Sequence, residues 1–347
     1  MRSARTIALF TLTLQFAFAQ DGQFSQYFAS SAVLNPALIG TVPTLSFNSN
    51  YKRSGGSDQE AFFELWQATV SMPFEKRQTQ DYQVGAAGIT FLSERRGFRG
   101  IYQAQRLMFT GAYVLRLSRL SNQQLVFGLQ AGITENRIND NNLQWGSQYN
   151  RYIGFDDTLP DEFVSVDPLY YPSVNFGIIY SLFDNQDTYI RDRSLRIGLA
   201  VDHLNEPEIT NKGFNPARKP FLIKTFGSGK FNLNPRVDLF PSVYALYSQG
   251  SIQINSGLYL STFVSGVATK AAMLLQAGAW YRLNDAVIIL AGLKVEEIEV
   301  GVSFDLNTSD FDINEALGNQ RPAYEVSLRY NLNLTPNYLR GVSNPIF

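Results

Sequence analysis

From Tyr324 to Leu334 the chain reads Tyr-Glu-Val-Ser-Leu-Arg-Tyr-Asn-Leu-Asn-Leu, apolar at every second position and charged or polar between. Side chains on a strand alternate faces, so this run presents one apolar face and one polar face. The same alternation recurs over Leu125–Ile133, Leu195–Val201, Ile252–Leu260 and Ile298–Leu306, and no segment carries a convincing helical period. Strands fall near 42–53, 61–73, 83–93, 104–118, 124–137, 173–182 and 194–203. A second set falls near 221–232, 237–248, 251–264, 272–282, 286–295, 297–306 and 323–334. The pattern predicts an all-β fold, a transmembrane antiparallel up-and-down β-barrel of about fourteen strands in an outer membrane.

The connections between these strands carry an independent signal. Those near 119–123, 233–236 and 296 are short, while those near 138–172, 204–220 and 307–322 are long. Short inner turns and long outer loops are the asymmetry of outer-membrane barrels. The connections 249–250 and 283–285 break the rule as tight outer turns that lower one wall of the rim. A soluble periplasmic sandwich would share the strands, but it leaves the loop asymmetry unexplained. Closure removes the unpaired strand edges, each amide of which would cost several kcal/mol in hydrocarbon. The alternation then turns Arg196, Asp202, Glu297, Glu299, Asp305, Glu325 and Arg329 into the lumen. Leu328→Arg on the lipid face is expected to harm assembly far more than Ser327→Arg, which faces the lumen.

Ahead of the strands lies an export signal. Arg2 and Arg5 precede an apolar run from Ile7 to Phe18, and Ala17-Phe18-Ala19 fits a small-x-small cleavage site, with the mature chain starting at Gln20. Residues 1–19 are read as signal peptide, 20–41 as a periplasmic or plug-like segment, 42–334 as the barrel and 335–347 as a tail. The chain carries 29 basic and 30 acidic residues. Losing the leader removes two arginines and no acid, so the net charge moves from −1 to −3. No basic excess exists to attract nucleic acid. A mean hydropathy of −0.12 argues against a helical membrane protein. The aromatic content of 14% suits the two interfacial girdles of a barrel.

Catalytic chemistry is nearly absent from the sequence. His203 is the one histidine and there is no cysteine, so neither a thiolate metal site nor a histidine pair can be assembled. His203 is read as a structural rim histidine. Gly227-Ser228-Gly229-Lys230 lacks the first glycine of a phosphate loop and reads as softened strand. The acids Asp156, Asp157, Asp161, Glu162 and Asp167 lack the spacing of a calcium loop and read as solvated charge. No cofactor, metal or enzymatic activity is expected. The same loop holds Trp145, Tyr149, Tyr152 and Phe155, rigid aromatic area suited either to protein contact or to packing inward.

The mature start, Gln20-Asp21-Gly22-Gln23-Phe24-Ser25-Gln26-Tyr27, runs on to Leu34-Asn35-Pro36-Ala37 and Gly40 without alternating. With Val84-Gly85, Gly88-Ile89, Gly198 to Leu204, Pro241-Ser242 and the Tyr324–Tyr330 strand, it resembles the PorP/SprF family of Bacteroidota outer-membrane proteins. Gly22 stands where that family often has proline. The resemblance implies a barrel attached to the type IX secretion system, which exports proteins bearing a C-terminal sorting domain. It implies further that the protein helps secretion or surface attachment of particular substrates, such as gliding adhesins. The partners expected are outer-membrane lipid, secretion or gliding components, and a secreted surface protein. Gln23, Phe24, Ser25, Gln26, Tyr27, Asn35 and Pro36, with the loop aromatics, are the expected partner-binding residues. Phe24 and Tyr27 are expected to dock the segment in the lumen or on a periplasmic partner. A passive pore for small solutes is the competing reading.

Overall fold

The computed structural model describes residues 21–56, 61–76, 82–117, 123–139, 145–156, 158–159, 167–185, 192–210, 217–234, 236–264, 273–308 and 322–332. The alternating segments form β1 (Leu45–Gly55), β2 (Ala61–Lys76), β3 (Tyr82–Phe98), β4 (Tyr102–Arg116) and β5 (Gln123–Ile138). A small hairpin of β6 (Tyr149–Asn150) and β7 (Gly154–Phe155) interrupts the long connection that follows. The wall resumes with β8 (Leu169–Asn185), β9 (Asp192–Asp202), β10 (Leu222–Asn234) and β11 (Val237–Ser248). It is completed by β12 (Ser251–Phe263), β13 (Met273–Arg282), β14 (Ala286–Val295), β15 (Ile298–Asn307) and β16 (Ala323–Leu332). Fourteen of these, all but β6 and β7, pair antiparallel with their chain neighbours, and β1 closes on β16 from Leu45↔Leu332 to Arg53↔Tyr324.

Closure satisfies every edge, which hydrocarbon demands. The pleat then sorts side chains by parity. On β16, Val326, Leu328 and Tyr330 are exposed on the outer wall, whereas Glu325 and Ser327 are buried inside. Phe47, Phe74, Tyr113 and Tyr330 lie outside near one end of the strands, with Phe98, Tyr170 and Tyr324 near the other. Several strands outrun their expected bounds, notably β8, which starts at Leu169 and ends at Asn185.

The connections sort by end as expected, with 139–168, 203–221 and 308–322 together at one end and the turns 235–236 and 296–297 at the other. The long-loop end faces out of the cell by the asymmetry of such barrels. The tight turn at 249–250 takes positive φ at both residues, +46° at Gln249 and +84° at Gly250. That geometry matches the twist of a two-residue hairpin. Gly227–Lys230 lies within β10 as regular strand. Glu297 differs from its expected place, standing in the turn between β14 and β15 rather than on a lumen-facing strand position. The tail 335–347 and the acids Asp157, Asp161 and Glu162 lie outside the described residues.

Candidate functional site

Residues 21–44 do not hang below the barrel; they run through its lumen. Asn35 and Pro36 organise the path. The Asn35 side chain accepts from the Ala37 N–H at 2.9 Å, and Pro36 opens a 3-10 turn over Pro36–Thr41 after one helical turn at Ser31–Leu34. An asparagine cap followed by proline is a local helix start that needs no partner. Asn35 also donates to the carbonyls of Leu199 at 3.1 Å and Ile178 at 3.4 Å, tying the turn to β9 and β8. The wall is cut to receive it. A Cβ on Gly128 would overlap the backbone of Pro36 and Ala37, and one on Gly177 would overlap the Asn35 side chain.

Two aromatics follow the opposite wall. Tyr27 stacks on Tyr244 at 4.8 Å between ring centroids, and its hydroxyl lies 2.7 Å from Ser242 Oγ, which also accepts from Trp280 Nε1 at 3.0 Å. Phe28 stacks on Trp280 at 5.3 Å, and Tyr259 stacks on Phe240 beside it at 4.4 Å. These rings belong to one buried cluster with Leu246, Ile288 and Leu290. Offset and stacked aromatic pairs of this kind add about 0.5–1.5 kcal/mol each beyond their burial. Phe24 packs separately, against Leu65 and Leu92.

Polar groups hold the segment between these contacts. The Glu325 carboxylate accepts from the Ser25 N–H at 2.6 Å and the Gln26 N–H at 3.2 Å. Ser25 Oγ donates to Asp305 at 2.5 Å and accepts from Lys52 at 2.6 Å and Arg282 at 3.0 Å. Asp305 pairs with Lys52 at 3.0 Å and Arg282 at 3.1 Å, so the charges inside largely cancel. Gln26 donates to Ser303 Oγ at 3.2 Å and accepts from Ser327 Oγ at 2.7 Å. Further inward Arg329 donates to the Phe28 carbonyl at 3.0 Å, and near the outer end of β10 Lys224 donates to that of Val33 at 2.6 Å. Buried charges survive only when paired or hydrogen-bonded, and these meet that condition by pairing across the wall and by bonds to the segment.

At the long-loop end Asp21 is caged by three basic side chains, two of them cations. Its carboxylate pairs with Arg106 at 2.9 Å and Lys219 at 2.6 Å, and lies 2.9 Å from His203 Nε2. His203 sits just past β9 at φ +59° and is buried, its N–H donating to Asn175 Oδ1 at 3.0 Å. Burial alone would raise the Asp21 pKa, but Arg106, Lys219 and His203 together hold it well below 3.8. Burial pushes His203 below its ordinary 6.5, against the pull of Asp21. The rim histidine expected from the sequence is thus a ligand of the N-terminal segment.

The residues singled out in the sequence divide accordingly. Phe24, Ser25, Gln26, Tyr27, Asn35 and Pro36 are buried against the barrel's own wall, and Gln23 is half-buried. Arg196, Asp202, Asp305 and Glu325 are buried inside, with Glu299 and Arg329 nearly so. Asp202 pairs with Lys224 at 2.5 Å. In the long loop Tyr149, Tyr152 and Phe155 are exposed, Tyr152 by 90%, and Ile153 joins them, while Trp145 is half-buried. Asp21, Arg106, Lys219, Lys52 and Arg282 were not singled out. Asp21 lay in plain view inside the N-terminal motif, but charge spacing gives no hint of partners 85 residues away.

Fold and lumen together define a plugged outer-membrane barrel. The sequence profile of the Type IX secretion system membrane protein PorP/SprF family matches residues 16–330, and the chain belongs to that family. A comparison with curated proteins finds no match. Among solved structures the chain is similar to a Pseudomonas aeruginosa FadL homologue at 11% identity and TM-score 0.43, over 88% of this chain and 94% of that one. It is similar to the CymD monoaromatic hydrocarbon channel at 7% identity and TM-score 0.44, over 88% and 93%. BamA from Haemophilus ducreyi lacking POTRA domains 1–3 aligns at 10% identity and TM-score 0.40, over 83% and 70%. None of these likenesses bears on what this barrel moves or binds.

Proposed function

We propose that this barrel is a sealed, non-enzymatic accessory of type IX secretion that helps secrete or anchor a surface protein bearing a C-terminal sorting domain. The observation that carries the reading is the filled lumen. A conduit for solutes needs an aqueous path, and residues 21–44 occupy that path with stacked rings and a charge-neutral polar network. What remains for contact is the long-loop end. There the β6–β7 hairpin offers Tyr149, Tyr152, Ile153 and Phe155 as an exposed apolar tip, the kind of rigid anchor that protein interfaces favour.

Two measurements test this. Purified protein in planar bilayers should give no steady large conductance at neutral pH; such a conductance would favour the passive pore instead. In the cell, deletion of the gene should remove one surface protein from the envelope and leave nutrient uptake intact. Retention of every surface protein after deletion would refute the anchoring role.

A further inference from the structure

The direction of the lumen segment has a topological consequence. A single strand, β3, measures it. Gln83, beside the inner turn, donates to the Val42 carbonyl at 3.1 Å, while Glu94, toward the outer end, faces the Gly22 N–H at 3.4 Å. Eleven residues of strand separate these contacts, about 35 Å of rise. The segment therefore spans the barrel with its C-terminal end inward, where β1 begins, and its N-terminal end outward.

The outward end is fixed by the Asp21 cage. Lys219 lies in the connection before β10 and His203 just past the outer end of β9, both at the long-loop rim. A cleft beside the cage is lined by Lys219, Pro220, Ser248 and Ser251, the last two flanking the tight turn at 249–250 that keeps the rim low. Adjacent Cα atoms are 3.8 Å apart, so whatever precedes Asp21 starts in this outer vestibule.

We propose that the mature N-terminus leaves the lumen through the outer mouth and is presented on the cell surface. A partner that grips the N-terminus is then an extracellular polypeptide, not a periplasmic one. The apolar leader from Ile7 to Phe18 must also be removed before the segment seats, since it cannot occupy the inner membrane while residue 21 sits at the outer rim. The inference rests on the barrel's orientation and on leader cleavage, and is independent of the secretion role.

The chain has no cysteine, so one inserted between Gln20 and Asp21 gives a unique label site. Intact cells would be treated with a membrane-impermeant maleimide. Tyr152→Cys in the exposed loop serves as the outer control and Asn234→Cys beside the inner turn as the inner one. The inserted cysteine should label on intact cells to within a few-fold of Tyr152→Cys, with Asn234→Cys labelled only after permeabilisation. Labelling that requires permeabilisation would overturn the proposal, and so would a cysteine that reacts only after denaturation. A short epitope placed at the same junction, probed by antibody on intact cells, gives a second reading that does not depend on thiol access. Surface labelling with failed anchoring would leave this inference standing while refuting the function proposed above.

Discussion

Asp21 shows how one side chain can decide whether the lumen stays filled. Arg106 grips it through two nitrogens, at 2.9 and 3.1 Å, in the fork geometry that guanidinium and carboxylate share. Arg106→Gln leaves the carboxylate buried with weaker company, a class of change that costs about 3–5 kcal/mol. The expected result is a seated segment that opens transiently, read as conductance bursts and as new protease sensitivity within residues 21–44. Acid should act in the same direction. The seated state keeps His203 neutral, its pKa lying below 6.5, so a released histidine takes up a proton sooner as pH falls through 6.5. Asp21, held well below 3.8, stabilises seating above 3.8 and loses that contribution as pH drops through its depressed value. Lys219 and Arg106 are the other charges that contact the Asp21 carboxylate. Conductance should therefore rise on acidification, and Asp21→Asn should flatten the lower part of that response; a flat profile in the wild type would remove the cage from the seating mechanism.

Single strands explain what the sequence made legible and what it hid. On β16, parity alone placed Leu328 on lipid and Ser327 inside, and both stand there. A charge at Leu328 meets hydrocarbon and costs about 2–4 kcal/mol near midplane. Ser327 faces a filled lumen rather than a wide one, since its Oγ donates to Gln26, so an arginine there would displace the segment while sparing assembly. Leu328→Arg should lower the yield of heat-modifiable barrel, whereas Ser327→Arg should assemble and lose the plug, seen as conductance without loss of the folded band. The plug itself left a signal that alternation obscures. On β14 the run Val287-Ile288-Ile289-Leu290 is apolar on both faces, and Ile288 and Leu290 point inside. Phe240, Tyr244, Leu246, Tyr259 and Trp280 likewise hold inward positions on neighbouring strands. Apolar side chains facing a lumen require an apolar occupant, and Tyr27 and Phe28 supply it. Part of the aromatic content attributed to interfacial girdles is spent there. The cage could not be read in the same way, since Asp21, Arg106, His203 and Lys219 meet only through closure of the whole wall.

For the whole molecule the question is whether barrel and plug are one folding unit or two. The strand ladder is complete without residues 21–44, from β1 round to β16, and its lipid face makes no use of them. The interior is different: Glu325, Asp305, Lys52 and Arg282 are buried, and each bonds to the segment through Ser25 or Gln26 as well as to wall partners. Deleting residues 21–41 behind the leader should therefore leave a closed wall that still resists unfolding in an unheated gel. Water would enter and hydrate those charges, which costs the wall little, since ions in water need no partner. The exposed rings Tyr244, Tyr259 and Trp280 would lower stability modestly through lost burial, at roughly 25 cal/mol per Å² of apolar surface wetted. A steady conductance should replace the sealed state. Gly128→Val offers the same outcome by one substitution, because its side chain claims the space of the Pro36–Ala37 backbone while facing away from lipid. Overpacking of this kind costs about 1–3 kcal/mol, within reach of what holds the segment. If both variants fail to give a folded band, the segment is needed to close the wall, and plug and barrel form a single cooperative unit.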